Sequence, residues 1–166
     1  MPRYEIDHAI PLSASQQDDL AQEITRLHLA AFRLVPKFFV NIIFTDLSHK
    51  TCYVSGRKRK TNHIKGQLRQ GNRDRSDFQK LANDIKEAWG RIVVDRAEGN
   101  RKNYAIQTVV LIPSNQVAVE AGFPVPLVGE EHAWYKDHAA KFEQLANAGD
   151  EDSRELVQDM HENGLG

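Results

Sequence analysis

The chain has 166 residues, 40% of them apolar and 27% charged, and 22 Lys+Arg against 23 Asp+Glu leave a formal charge of −1. That composition suits one folded domain of ordinary size; it excludes a disordered polyelectrolyte and a basic chain shaped for nucleic acid. No apolar stretch approaches the roughly 20 residues of a membrane span, and one cysteine, Cys52, allows neither an intrachain disulfide nor a thiolate zinc site. Pro2-Arg3-Tyr4-Glu5 lacks the apolar middle of a secretion signal, so a soluble, cytoplasmic domain is expected.

Tyr4, Ile6, His8 and Ile10 alternate with Glu5, Asp7 and Ala9, the period-two pattern of a half-buried strand. Ser13 with Gln16 forms a capping-box pattern, and Leu20, Ile24, Leu27, Ala31 and Leu34 follow at helical spacing until Pro36. The run from Phe38 to Phe44 is apolar on both faces, which predicts a central, covered strand. Residues 51–55 predict a hairpin or edge strand ending at Gly56. Residues 62–69 predict a strand weakened by Lys65 and Gly66; Ser76 with Gln79 then caps a helix carrying Phe78, Leu81, Ile85, Trp89 and Ile92. Residues 104–112 are a β-branched run closed by Pro113. Gly122, Pro124, Pro126 and Gly129 mark a turn-rich crossing, and 133–147 and 153–163 predict two polar helices, the second capped by Asp150 or Asp152.

The order strand, helix, strand thus occurs twice, over about 2–56 and 62–113. The expected fold is α/β (α+β): two fused β-α-β units making a four-stranded sheet with helices on one face. A domain over 1–135 would precede an acidic helical extension over 136–166. The uncovered sheet face calls for oligomerisation. Charge is uneven as well: residues 57–75 hold eight Lys or Arg and one acid, Asp74, whereas the segment from Gly129 onward is strongly acidic.

Pro2 is the chemically unusual position. If Met1 is removed, Pro2 presents a secondary amine, a good base and nucleophile, at the start of a strand; desolvation or nearby cations would bring such an amine toward neutrality. Arg69, Arg73 and Arg75 lie between a strand and the N-terminus of the second predicted helix, where guanidinium groups could bind a carboxylate or simply be solvated. His28 sits at the border of a buried helix face, where a lone histidine is more often a packed or capping residue than a ligand.

Met1-Pro2 before a strand, His28 in Glu23-Ile24-Thr25-Arg26-Leu27-His28 and the segment Val35-Pro36-Lys37-Phe38-Phe39-Val40-Asn41-Ile42-Ile43-Phe44 together resemble the tautomerase superfamily. The branch they resemble is the cis-3-chloroacrylic acid dehalogenase-like group; Asn62-His63-Ile64, the Arg69 to Arg75 loop, Ile112-Pro113-Ser114, Glu120-Ala121-Gly122 and Trp134 continue the likeness over roughly residues 2–135. The resemblance implies a homotrimer with Pro2 as acid/base and a pair of arginines gripping a substrate carboxylate: Arg69 with Arg73 or, preferably, Arg75. It also implies that His28 assists in binding or water activation and that Glu120 orients or deprotonates a water. Thr108 stands where the dehalogenases carry a tyrosine, with Tyr104 four residues earlier as the nearest phenol, and Phe123 replaces an arginine. These departures weigh against dehalogenation and leave proline-based proton transfer on a small unsaturated or 2-oxo carboxylic acid.

Seven histidines show no metal-binding spacing, and no glycine-rich nucleotide motif occurs, so neither a metal nor another cofactor is expected. Arg57-Lys58-Arg59-Lys60 reads as a solvated basic turn, so neither a nucleic-acid nor a membrane partner is expected. Two other functions fit the same residues: water addition to a 3-substituted acrylic acid, or a non-catalytic module that binds an anion or partner.

Overall fold

The computed structural model describes residues 2–32, 37–114, 117–120, 122–162 and 164. Two parallel β-α-β units form its centre. β1 (Arg3–His8), α1 (Ala14–Ala31) and β2 (Asn41–Asp46) make the first; β5 (His63–Arg69), α2 (Arg75–Trp89) and β6 (Thr108–Ser114) make the second. A hairpin of β3 (Cys52–Val54) and β4 (Arg57–Arg59) separates them, and a two-residue hairpin of β7 (Val119–Glu120) and β8 (Phe123–Pro124) follows, before α3 (Glu131–Asn147) and α4 (Glu151–Glu162). The four long strands lie in the order β2-β1-β5-β6, with β1 and β5 antiparallel at the join.

Local chemistry accounts for most of these elements. Ser13 Oγ accepts from Gln16 N–H at 3.2 Å while Gln16 Oε1 accepts from Ser13 N–H at 3.0 Å, closing the expected capping box. The first hairpin turns at Ser55 and Gly56, whose φ values of 52° and 73° are those of a tight turn matched to strand twist. Asp150 caps α4 by accepting from Ser153 N–H at 2.7 Å.

Four expectations are corrected. Asp74, not Ser76, precedes the second helix, and Asp77 Oδ2 accepts from Asp74 N–H at 2.9 Å. The 38–44 run is not a central strand: Lys37–Phe39 form a 3₁₀ turn in which the Phe39 ring meets Trp134, and β2, paired only with β1 in the order β2-β1-β5-β6, lies at the sheet edge. Tyr104 is not in β6 but ends a 3₁₀ turn, where its carbonyl accepts from Trp89 Nε1 at 2.8 Å. Gly66, finally, does not weaken β5. A Cβ there would lie 2.9 Å from the Tyr4 ring and 2.7 Å from Leu111, so glycine is what lets Tyr4 lie across the sheet. Leu34 and Pro36 lie outside the described residues.

The core sits between the sheet and the helices. Tyr4, Ile6, Ile64 and Leu68 meet Leu20, Ile24, Leu81 and Ile85, and the C-terminal helices add Tyr135, Phe142, Leu156 and Met160 to the same cluster. On the other face Ile43, Val110 and Ile112 are exposed, flanking the ion-paired Arg3, Glu5 and Lys65. No helix among the described residues is long and apolar enough to cross a membrane.

Candidate active site

Antiparallel pairing of β1 with β5 brings the amino-terminal end of one strand beside the carboxyl-terminal end of the other. Arg3 is level with Gln67, and Arg69 follows two residues on, level with Ser114 of β6. Pro2 is buried there, its carbonyl accepting from Asn41 N–H at 2.9 Å. The first residues of the chain are thus held against the rest of the protein.

The last turn of α1 forms one wall. His28 is fully buried and its Nδ1 shares a 2.8 Å hydrogen bond with the Tyr4 hydroxyl, leaving Nε2 without a partner among the described residues. Burial, then the charges of Arg73, Arg69 and the chain's amino terminus, pulls its pKa down to about 3, so the imidazole is neutral at working pH. Phe32, one helical turn on, packs edge-on against His28 and carries the Arg73 guanidinium 3.9 Å from its ring centroid.

Two arginines occupy this end of the sheet in different ways. Arg69 is buried and committed: Nη2 pairs with Glu131 Oε1 at 3.0 Å, and Nη1 donates to the Pro126 carbonyl. Glu131 is fixed in turn by Gly129 N–H, which donates to its Oε2 at 2.6 Å. Arg73 is half-buried, donates to the Arg69 carbonyl at 3.0 Å and has no ion-pair partner among the described residues. Burial and the Arg69 charge lower its pKa, which for a guanidinium still leaves a cation. Arg75 opens α2, exposed, beside a surface groove shared with Phe78, Val109 and Pro113. Of the two arginines expected to partner Arg69, the fold brings Arg73 against it and not Arg75.

Glu120 supplies an acid. It lies in β7, its Oε2 is buried without a hydrogen bond among the described residues, and burial raises its pKa to about 7 against the opposing pull of the amino-terminal charge and Arg69. The site therefore contains a neutral imidazole, a carboxyl group that titrates near neutrality and a desolvated cation. Such a set can hold a carboxylate and pass a proton.

Thr108 and Tyr104 are not brought to this end within the chain. Thr108 pairs with His63 at the opposite end of β5, six residues from the Arg69–Ser114 pair, or roughly 20 Å along the strand. Sequence reasoning missed the contributions of Tyr4, Phe32 and Glu131. The i, i+4 spacing of His28 and Phe32 was a readable signal; the Arg69–Glu131 pair, spanning 62 positions, had none.

The family model Tautomerase_3, described as "Putative oxalocrotonate tautomerase enzyme", matches residues 1–139. The chain belongs to this tautomerase family. Solved structures share its fold. N1, a member of the cis-3-chloroacrylic acid dehalogenase (cis-CaaD) family, is 20% identical over 87% of this chain and 99% of that one, with a TM-score of 0.67. A fused 4-OT crystallised as an asymmetric trimer is 15% identical over 72% and 92%, TM-score 0.57. MIF2 of Leishmania major is 12% identical over 75% and 97%, TM-score 0.55. No curated protein matches the sequence. At such identities these likenesses establish the tautomerase fold, and the chemistry must be argued from the residues.

Proposed function

We propose that this tautomerase-family protein is a cofactor-independent isomerase, working as a homotrimer on a small unsaturated or 2-oxo carboxylic acid. One observation carries the reading: the buried Pro2 end of β1 stands with His28, Glu120, Arg69 and Arg73 at one end of one sheet. Removal of Met1 would free a secondary amine there, surrounded by guanidinium charge that favours its unprotonated form. With an enol substrate, Pro2 nitrogen takes the hydroxyl proton. The O–H pair becomes the carbonyl bond, and the prolinium returns a proton to carbon as the C=C pair forms a C–H bond. Arg73 holds the carboxylate, Arg69 shapes the pocket through Glu131, and neutral His28 offers Nε2 to the substrate. The exposed apolar edges of the open face, Ile43 on one side and Val110 and Ile112 on the other, support trimer assembly, as does the likeness to trimeric 4-OT.

Glu120 favours a second reaction at the same site, since a carboxyl group near neutrality can deprotonate a water for addition to a 3-substituted acrylic acid. Intact-mass measurement tests whether Met1 is absent. Turnover of phenylenolpyruvate and 2-hydroxymuconate by the native chain and by Pro2→Ala tests the rest. Equal rates for the two would leave only a binding module.

A further inference from the structure

The first two turns of α3 enter the site, although they lie at the margin of the β-α-β core in sequence. Glu131 at the helix start is locked to Arg69 at 3.0 Å. Tyr135, one turn on and on the same face, is completely buried, yet its hydroxyl has no hydrogen-bond partner among the described residues. Buried hydroxyls are rarely left unpaired, and two more unpaired polar atoms, His28 Nε2 and Glu120 Oε2, serve the same site. Tyr135 shares its face of α3 with Glu131, whose carboxylate meets Arg69 at 3.0 Å, so the ring lies on the side of the helix turned to the site.

We propose that the Tyr135 hydroxyl donates a hydrogen bond to the substrate oxygen that becomes negative as Pro2 moves the proton. This rests on the isomerase reading above. Burial pushes the phenol well above its ordinary titration range, so it remains a donor at any working pH. A donor fixed before the reaction stabilises charge that develops only in the transition state. The effect belongs in kcat, whereas Arg73, which meets a carboxylate charged throughout, belongs in KM.

The test compares the full-length native protein, Tyr135→Phe and Pro2→Ala with phenylenolpyruvate, reading kcat, KM and melting temperature. Tyr135→Phe is expected to lower kcat at least tenfold with KM within about threefold. Its melting temperature should equal or exceed that of the native protein, because an unpaired buried hydroxyl is removed and the ring stays. An unchanged kcat, a loss confined to KM, or a fall in melting temperature would each overturn the inference; the last would mean that the hydroxyl has a protein partner. Equal rates for Pro2→Ala and native chain, or no native turnover, would remove the isomerase reading and the inference with it. A Pro2→Ala loss with an unchanged Tyr135→Phe would remove the inference alone.

Discussion

The two ends of the sheet carry similar residues to different purposes. At the His8–His63 end the buried polar groups are mostly paired. Asn62 accepts from Ala9 N–H at 2.9 Å and donates to the carbonyls of Asn103 and Ala105 at 3.2 and 3.0 Å, and His8 Nδ1 meets the Ile10 carbonyl at 2.7 Å. The Thr61 hydroxyl is an exception. At the Pro2–Arg69 end, among the described residues, His28 and Glu120 each keep a buried polar atom unpaired, as does Tyr135 on α3, and Arg73 keeps an unpaired charge. Paired polar groups specify a structure, whereas unpaired ones hold free energy that a ligand can recover.

Substitutions at the two ends should therefore separate rate from stability. The largest effect is expected from Pro2→Ala, a loss of about 10²–10⁴-fold in kcat with an unaltered melting temperature. Arg69→Ala comes next and crosses the boundary. Stranding the buried Glu131 carboxylate should cost about 3–5 kcal/mol in a denaturant titration. Asn62→Ala should lose about 2–3 kcal/mol in the same titration while kcat stays at the native value; a rate loss in the folded variant would erase the contrast. Arg73→Ala should raise KM about 10–100-fold in steady-state kinetics with little change in stability, and Arg75→Ala should leave both alone.

A pH dependence of stability is also expected. The folded chain keeps the Glu120 proton up to about pH 7, whereas the unfolded chain releases it near the ordinary 4.5. Glu120 thus contributes stability that is full below pH 4.5 and is lost as pH rises toward 7. Glu120→Gln, neutral throughout, should gain melting temperature over the native protein across that window and hold the gain above it. His28 acts oppositely. Its folded value near 3 lies below the ordinary 6.5, so its contribution is present above pH 6.5 and is lost as pH falls toward 3. A flat native profile between pH 4.5 and 6.5, resolved into two opposing slopes by Glu120→Gln and His28→Gln, would sharpen the comparison.

Much of the fold was legible because its signals are local. The alternation from Tyr4, the Ser13–Gln16 box and the turn at Gly56 each act within a few residues, and each lies where the pattern put it. Legibility failed where a distant partner competed with a local one. Phe39 has an apolar strand's composition but packs on Trp134, and Tyr104 has a strand former's side chain but gives its carbonyl to Trp89. At the site, Arg69 stood out by type and spacing; its commitment to Glu131 did not.

The amino-acid sequence by itself determined the two β-α-β units, because periodicity and caps are properties of neighbouring residues. It also determined the stock of proline, arginines, histidine and glutamate from which a site could be made. Only the tertiary structure decided that Arg73 stands with Arg69, that Thr108 sits at the far end of β5, and that α3 sends Glu131 to Arg69. The last two depend on strand direction and on contacts between distant positions, 45 apart for Thr108 and His63 and 62 apart for Arg69 and Glu131. Local preference carries no information about such distances, which emerge only when the apolar faces close on one another.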